Sequence, residues 1–314
     1  MQTPAYILDE FAYFTASERA ERMAGTLLQF QTRMSETNGR VLGRVLDMIE
    51  ASEGDEALHL DMLATHMSKY HSTYLQYSPW KNGYTLLDGT EINSMSAYRA
   101  YYSRKNGLLP HSRTNDGLLS DEDASTLLHC LANLQWAVRE HADKGWLGET
   151  AHTLELPADY CELLKHVRGI GYENWDRQMF IPDIDASVLQ RIEDLALEAD
   201  ELSDLDCTAD FRLAAGWIMG ENEHGSQIIY AVSRHTGVVE PWRWRIFVEA
   251  NFPHTNVFEN VEEFLIWLSS ADDWIDWSGV RESVGEVHKI CAIRRTEEAE
   301  HKETLEQLGN YKLG

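Results

Sequence analysis

The sequence contains few cysteines and no long apolar run. Its four cysteines, Cys130, Cys161, Cys207 and Cys291, form no Cys-x-x-Cys pair. Dispersed thiols argue against a disulfide scaffold and a zinc ribbon and favour a reducing, cytoplasmic location. No apolar stretch approaches the roughly 20 residues that span a bilayer, which excludes a transmembrane protein. The first nine residues lack a basic region and an apolar region, so we expect no secretory signal.

Basic residues are scarce relative to acidic ones. The 314 residues include 27 Lys and Arg against 52 Asp and Glu, a formal net charge of −25. Residues 1–150 hold 13 basic and 20 acidic side chains (net −7), and residues 151–314 hold 14 and 32 (net −18). Such a polyanion is repelled by nucleic-acid backbones and anionic membranes and attracted to cationic macromolecules. The charge predicts a basic protein partner, with neither nucleic acid nor membrane bound directly; solubility alone is the alternative interpretation.

The apolar pattern predicts an α+β protein with an N-terminal helical domain. Helical spacing of apolar residues predicts five helices in the N-terminal part, over residues 17–34, 41–49, 58–74, 94–106 and 120–138. Thr15 and Glu18 have the spacing of a capping box at the first of these. A glycine-containing break at 144–148 separates this helical domain, residues 1–148, from a second domain, residues 149–314.

The second domain has mixed patterning. Pro157 opens a helix, residues 192–205 look helical and very acidic, and Asn260 with Glu263 begins another helix. Between them, strands are predicted at 213–219, 227–232, 238–239 and 244–248. A last helix is predicted at 279–305. This order predicts helices packed on an antiparallel sheet, followed by a C-terminal helix.

Motifs for catalysis and metal binding are absent or weak. The sequence has no HExxH, no G-x-S-x-G and no Walker lysine loop. Three Glu-x-x-His pairs have the spacing of di-iron ligands: Glu149/His152, Glu221/His224 and Glu298/His301. With 52 acidic residues and 13 histidines, such pairs are expected by chance. We therefore predict no metal, no cofactor and no catalytic residues, with an enzyme of unrecognised type as a remaining alternative.

Two features are candidates for binding a partner. The first is an acidic cluster, predicted on one helix and its following loop, and made of Glu193, Asp194, Glu198, Asp200, Glu201, Asp204 and Asp206. Like charges four residues apart on a helix repel by roughly 0.3 kcal/mol per pair. A cationic partner would relieve that repulsion, whereas the alternative is a solvated helix face. Glu221 and Glu223, in a predicted turn, complete the acidic set.

The second feature is the segment 241–245, which holds two tryptophans and two arginines. In a strand, Trp242 and Trp244 share one face and Arg243 and Arg245 share the other. The tryptophans belong to the core or, if one is exposed near the acidic residues, anchor a partner.

Four short motifs, each of them degenerate, follow one another between about Leu154 and Ser270. They are LPADYCELL at 156–164, GENEHGSQIIY at 220–230, TGVV at 236–239 and VFENVEEFL at 257–265. They resemble, in turn, the opening helix, the glycine-rich turn and strand, the return strand and the closing helix of the SUKH superfamily. That superfamily includes bacterial immunity proteins and fungal cell-wall regulators.

The resemblance implies a protein-binding module without catalytic residues. Immunity members hold the nuclease or other effector domain of a toxin in the cytoplasm of the producing cell. Nuclease toxins tend to be basic because they bind a polyanion, so a carboxylate-rich inhibitor can compete for that surface. We therefore expect a cytoplasmic immunity protein that occludes a cationic, nuclease-like toxin domain. The alternative is a regulatory scaffold that recruits proteins, as in the fungal branch.

Overall fold

The chain divides into two compact units. The structure, a computed structural model, describes residues 7–74, 80–86, 89–105, 121–140, 154–167, 196–197, 210–221, 227–248, 256–269 and 275–311. The sheet unit comprises Met1–Phe30 and Pro110–Leu268, and the helical unit comprises Gln31–Leu109 and Ser269–Gly314. Each unit thus combines two separate stretches of chain, whereas the sequence predicted one border at residue 148. The predicted border was placed at a glycine-containing break in the sequence, whereas the two units are defined by contacts between segments that are distant along the chain.

The described elements are helices and strands. The helices are α1 (Ala16–Glu50), α2 (Glu56–Tyr74), α3 (Met95–Lys105), α4 (Asp121–Glu140), α5 (Ala158–His166), α6 (Val261–Leu268) and α7 (Trp277–Tyr311). A 3-10 turn covers Phe11–Tyr13. The strands are β1 (Ile7–Leu8), β2 (Trp80–Asn82), β3 (Thr85–Leu86), β4 (Ala196–Leu197), β5 (Phe211–Glu221), β6 (Gln227–His235), β7 (Trp242–Val248) and β8 (Asn256–Phe258). The predicted α+β class is confirmed.

The sheet unit is built on a six-stranded mixed sheet. Its order is β1-β7-β6-β5-β4, and β8 also pairs with β7. Only β1 runs parallel to its neighbour among these strands; the other pairs are antiparallel. In the central register Trp217 of β5 lies opposite Tyr230 of β6, which lies opposite Ile246 of β7. This register places large side chains of three strands on one face.

Aromatic side chains fill the face of the sheet next to α5. Tyr160 of α5 lies 5.0 Å from Trp217 between ring centroids, and Trp244 lies 5.5 Å from Trp217 and 5.8 Å from Tyr230. On the other face, Arg245 lies over the ring of Phe211. The tryptophans and arginines of β7 therefore alternate between faces as the sequence predicted.

The core of the helical unit is apolar and helical. It is formed by the second half of α1, by α2 and α3, and by the first half of α7. The predicted stripe of α7 is confirmed, because its four members are buried: Val280, Val284, Val287 and Cys291. Helices of this length gain most of their stability from such packing.

Several predicted elements are wrong. Residues 17–34 and 41–49 lie in one helix, α1, so the described N-terminal part has four helices where five were predicted. The predicted acidic helix at 192–205 contains a strand, β4, because Ala196 pairs with Trp217 at the edge of the sheet. Tertiary pairing overrode the local helical pattern there. Val238 and Val239 form no strand and are exposed, since the β6–β7 turn carries them.

Two predicted helix caps are confirmed. Thr15 Oγ1 accepts a hydrogen bond from the N–H of Glu18, whose carboxylate accepts from the N–H of Thr15. Asn260 Oδ1 accepts from the N–H of Glu263, whose carboxylate accepts from the N–H of Glu259. These bonds satisfy N–H groups at the starts of α1 and α6. They fix the starts of two helices, and residues of both regions line a cavity in the sheet unit.

Candidate functional site

A cavity of about 490 Å³ lies within the sheet unit. Its wall is formed by the N-terminal segment 8–14, the first turns of α1, the start of α5, the β6–β7 turn with β7, and the start of α6. Sites for small ligands measure about 300–1,000 Å³. Most such sites are lined by apolar groups, whereas more than half of the residues that line this cavity are ionisable. The lining therefore points to a charged ligand or partner group.

Asp159, in the first turn of α5, is the buried centre of the cavity wall. Its carboxylate accepts hydrogen bonds from the Tyr230 hydroxyl (2.7 and 2.9 Å), from the N–H of Val261 (2.9 Å) and from the N–H of Tyr160 (2.8 Å). Burial raises the pKa of Asp159 to about 6, and the charge of Asp9 acts in the same direction, while these donors oppose the shift. Asp159 thus joins α5, β6 and α6 and holds a negative charge at neutral pH.

Asp9 fixes the N-terminal segment to the same wall. Its Oδ2 accepts a hydrogen bond of 2.7 Å from the N–H of Ala158, the first residue of α5, and its Oδ1 accepts from the N–H of Ala12. The short strand β1, just before it, pairs with the start of β7. A carboxylate at a helix N-terminus interacts favourably with the helix dipole. Asp9 therefore positions residues 9–14 at the cavity.

Arg245 is a buried cation surrounded by acceptors. Its side chain is 2% exposed, and its Nε donates to Glu259 at 2.7 Å. Its Nη1 donates to the carbonyl and hydroxyl oxygens of Ser233 and to Glu240. Burial alone would raise the pKa of Glu240, but the backbone N–H of His235, the charge of Arg245 and the His235 side chain together lower it. This charge is paired and hydrogen-bonded, as a buried guanidinium requires.

Two further ion pairs lie where the cavity meets solvent. Both Nε and Nη2 of Arg22 donate to the same oxygen of Glu262, Oε2, at 3.1 and 2.8 Å. Arg243 donates to Oε1 of Glu10 at 3.2 Å. Glu10 is 72% exposed and Glu262 34%. We call Glu10 and Glu262 the rim glutamates.

The cavity and the unit that holds it are strongly negative. The lining includes seven carboxylates (Asp9, Glu10, Asp159, Glu240, Glu259, Glu262 and Glu263) and three guanidinium groups (Arg22, Arg243 and Arg245). The sheet unit holds 13 basic and 33 acidic residues, a net −20, and the helical unit holds 14 and 19, a net −5. Most of the negative charge of the chain therefore belongs to the sheet unit.

The predicted partner-binding residues have different outcomes. The acidic cluster at 193–206 and Glu223 lie outside the described residues, so their role stays a prediction. Glu221 ends β5 rather than standing in a turn. Trp242 is 3% and Trp244 5% exposed, so both belong to the core, which was the alternative to a surface anchor. Trp244 nevertheless lines the cavity.

The described residues contain no group of three or more His, Cys, Asp or Glu side chains arranged to hold a metal ion. Of the three Glu-x-x-His pairs, only Glu298/His301 is fully described, and both side chains are exposed on α7. Among the described helices, none combines the length and apolar character that a bilayer crossing requires.

Apart from Trp244, sequence reasoning did not assign the residues that build the cavity to a binding site. Asp159 stands in the first turn of a helix, where an acidic residue is ordinary and is normally solvated. Its bond to Val261 joins residues 102 positions apart, and Arg22 and Glu262 are 240 apart. No spacing rule connects such positions. The sequence does indicate Glu259 and Glu263, because they flank the predicted cap at Asn260.

Comparisons of the chain with models of protein families, with curated proteins and with solved structures gave no match. The site must therefore be interpreted from its own geometry. That geometry is a charged cavity with carboxylates in excess, held in place by a buried hydrogen-bond network.

Proposed function

We propose that this chain is a protein-binding module that recognises a basic protein and occludes its cationic surface. The partner we propose is a cationic, nuclease-like toxin domain, which would make the chain an immunity protein. The observation that carries the proposal is the uneven charge, −20 on the sheet unit against −5 on the helical unit. A concentrated negative field attracts a basic protein and raises its association rate.

The element order of the sheet unit supports the same proposal. Helix α5 is followed by the antiparallel strands β5–β8 and by helix α6. The first SUKH-like motif covers most of α5, the second begins in β5, the third lies in the β6–β7 turn and the fourth begins in β8. Asp159 ties the first motif to the last through the N–H of Val261. The resemblance to immunity proteins therefore concerns segments that lie together in one unit.

We further propose that the module acts in the cytoplasm. Cys161 and Cys291 are free thiols, and Cys291 is buried. Free thiols are ordinary in a reducing compartment, where a cytoplasmic toxin target would also be found.

The test is to capture partners of the tagged full-length chain from its native host and to identify proteins that elute at high salt. We expect a basic protein whose association rate constant falls about tenfold or more between 50 and 500 mM salt, because steering is screened by salt. An acidic or neutral partner, or an association rate that is flat with salt, would contradict the proposal.

Matched charge variants show which unit's negative charge raises the association rate with the partner. The variant E193Q/D194N/E198Q removes three charges from the sheet unit, and E297Q/E298Q/E300Q removes three exposed charges from the helical unit. We expect the first variant to slow association at low salt several-fold and the second to leave it nearly unchanged. Equal effects would show that net charge alone, and not the sheet unit, attracts the partner.

A further inference from the structure

The cavity of the sheet unit has a lining suited to one particular side chain. Carboxylates outnumber guanidinium groups by seven to three, and the lining also includes the aromatic rings of Phe11, Phe14 and Trp244. We infer that the cavity receives an arginine side chain of the partner protein, an inference that rests on the proposed function. The partner would therefore be anchored by a guanidinium group and not only attracted by diffuse charge.

The sign of the charge selects a cation. Each of the three lining arginines is already paired: Arg22 with Glu262, Arg243 with Glu10, and Arg245 with Glu240 and Glu259. With four carboxylates in formal excess, an entering anion would meet net repulsion and an entering cation net attraction. Partial removal from water strengthens both effects.

The rim glutamates retain acceptor capacity. Glu262 binds both nitrogens of Arg22 through Oε2 alone, and Glu10 binds Arg243 through Oε1. No described residue donates a hydrogen bond to Oε1 of Glu262 or to Oε2 of Glu10. An ionised carboxylate has about four acceptor positions. A guest guanidinium can therefore bind at the rim without displacing the existing pairs.

The aromatic rings favour guanidinium over ammonium. The Arg22 guanidinium already lies over the Phe14 ring, 5.2 Å from its centroid, while it bonds to Glu262. The wall thus holds one guanidinium between a ring and a carboxylate. Arginine stacks on aromatic faces and binds carboxylates through a planar fork, whereas lysine presents a strongly hydrated point charge.

A buried N–H donor in the lining indicates that the guest guanidinium belongs to a peptide. The Nε atom of Arg243 is buried and donates to no described acceptor. An unsatisfied buried donor destabilises the protein that holds it. A peptide carbonyl next to the guest arginine would supply the acceptor, which a simple inorganic cation cannot do.

The probe is hexa-arginine peptide, acetylated and amidated at its ends, with hexalysine of equal charge as the matched control. Binding to the full chain is measured by calorimetry, and the contacted carboxylates are located by carbodiimide labelling and mass spectrometry. We expect hexa-arginine to bind about tenfold more tightly than hexalysine. We also expect it to protect Glu10 and Glu262 from labelling, while Glu297 and Glu298 of α7 stay reactive.

Substitutions of the rim glutamates test whether the peptide binds at the cavity. Removing a charge-assisted hydrogen bond changes affinity by about tenfold or more, so E262Q should weaken hexa-arginine binding by about that factor. E10Q, at a well-exposed position that leaves the fold intact, should weaken it too, and E297Q should not. Equal affinity of the two peptides, or labelling lost equally at Glu10, Glu262, Glu297 and Glu298, overturns the inference and leaves the proposed function standing. Absence of binding also overturns the inference, since the partner capture tests the function separately.

Discussion

The sheet unit and the helical unit bury ionisable groups of different kinds. In the sheet unit, Asp159 and Arg245 are buried as charges that hydrogen bonds and opposite charges satisfy. In the helical unit, His66 of α2 is buried, with Nε2 3.3 Å from the hydroxyl of Ser283 in α7, and burial lowers its pKa to about 4. His66 is therefore neutral in the folded protein at physiological pH.

The two units are therefore stabilised by different kinds of interaction. The apolar core of the helical unit holds His66 as an uncharged group whose Nε2 lies within hydrogen-bond distance of the Ser283 hydroxyl. In the sheet unit, the network around Asp159 connects α5, β6 and α6, so the loss of one group leaves others buried without partners. Removing one group from a satisfied buried hydrogen-bond network lowers the free energy of unfolding more than removing one partner of a solvated ion pair. The two units should accordingly respond differently to the same kinds of change.

The largest expected effect is that of Asp159→Ala. The substitution leaves the Tyr230 hydroxyl and the N–H of Val261 buried without their acceptor. We expect the free energy of unfolding of the sheet unit to fall by about 3–5 kcal/mol. Hydrogen–deuterium exchange of peptides from β5–β7 measures this loss. Peptides from α2 and α7 should keep their protection.

Asp159→Asn is the matched control for that substitution. The amide oxygen still accepts one hydrogen bond, while its NH₂ group faces donors, so we expect an intermediate loss of about 1–2 kcal/mol. Unchanged exchange in β5–β7 after Asp159→Ala would show that the carboxylate does not hold this unit together.

Local structure followed from local sequence in both units. The caps at Thr15 and Asn260 and the buried stripe of α7 were predictable, because their partners lie three or four residues apart. The alternation of tryptophan and arginine in β7 was predictable from the period of a strand. The strand β4 was not, because its partner Trp217 lies 21 residues away along the chain and supplied the pairing.

The cavity could not be predicted for the same physical reason. Its wall joins segments from four separate parts of the chain, and each acidic residue in it resembles a solvated residue when considered alone. Composition did indicate that negative charge is the property that would attract a partner. It placed most of that charge, −18 of −25, on residues 151–314, but it could not define the sheet unit, which is assembled from two separate stretches.

A second prediction concerns acidification, which should move the two units in opposite directions. The folded-state pKa of Asp159 is about 6, above the ordinary 3.8, so the folded sheet unit binds more protons and gains stability as pH falls from 7 to 4.5. The folded-state pKa of His66 is about 4, below the ordinary 6.5, so the unfolded chain binds more protons and the helical unit loses stability over this range. Each contribution is about 2 kcal/mol.

Variants isolate these two contributions from other titrating groups. Urea unfolding followed by exchange mass spectrometry at pH 7, 6, 5 and 4.5 gives the slope of stability with pH for each unit. Asp159→Asn should remove the gain of the sheet unit, and His66→Gln should remove the loss of the helical unit. If the slope of stability with pH stays the same in both variants, Asp159 and His66 are not the groups responsible for the pH dependence of the two units.

The smallest effects concern glycine, which has a different role in each unit. Gly216 of β5 lies opposite Ala231 of β6, and a Cβ added there would lie 2.7 Å from the Tyr230 carbonyl oxygen and 2.8 Å from the Ala231 Cβ. The neighbouring backbone would have to shift, so we expect Gly216→Ala to cost the sheet unit about 1–3 kcal/mol in free energy of unfolding.

Gly43→Ala in α1 should have the opposite sign in the helical unit. A Cβ added at Gly43 meets no atom within 4 Å, and the residue lies in the interior of the helix. Alanine restricts the unfolded chain and favours the helix, which should raise the free energy of unfolding by about 0.5–1 kcal/mol. Urea unfolding of both variants checks the pair. A loss of stability in Gly43→Ala would mean that an unseen contact crowds this position, and a neutral Gly216→Ala would mean that the sheet yields more easily than its close strand contact implies.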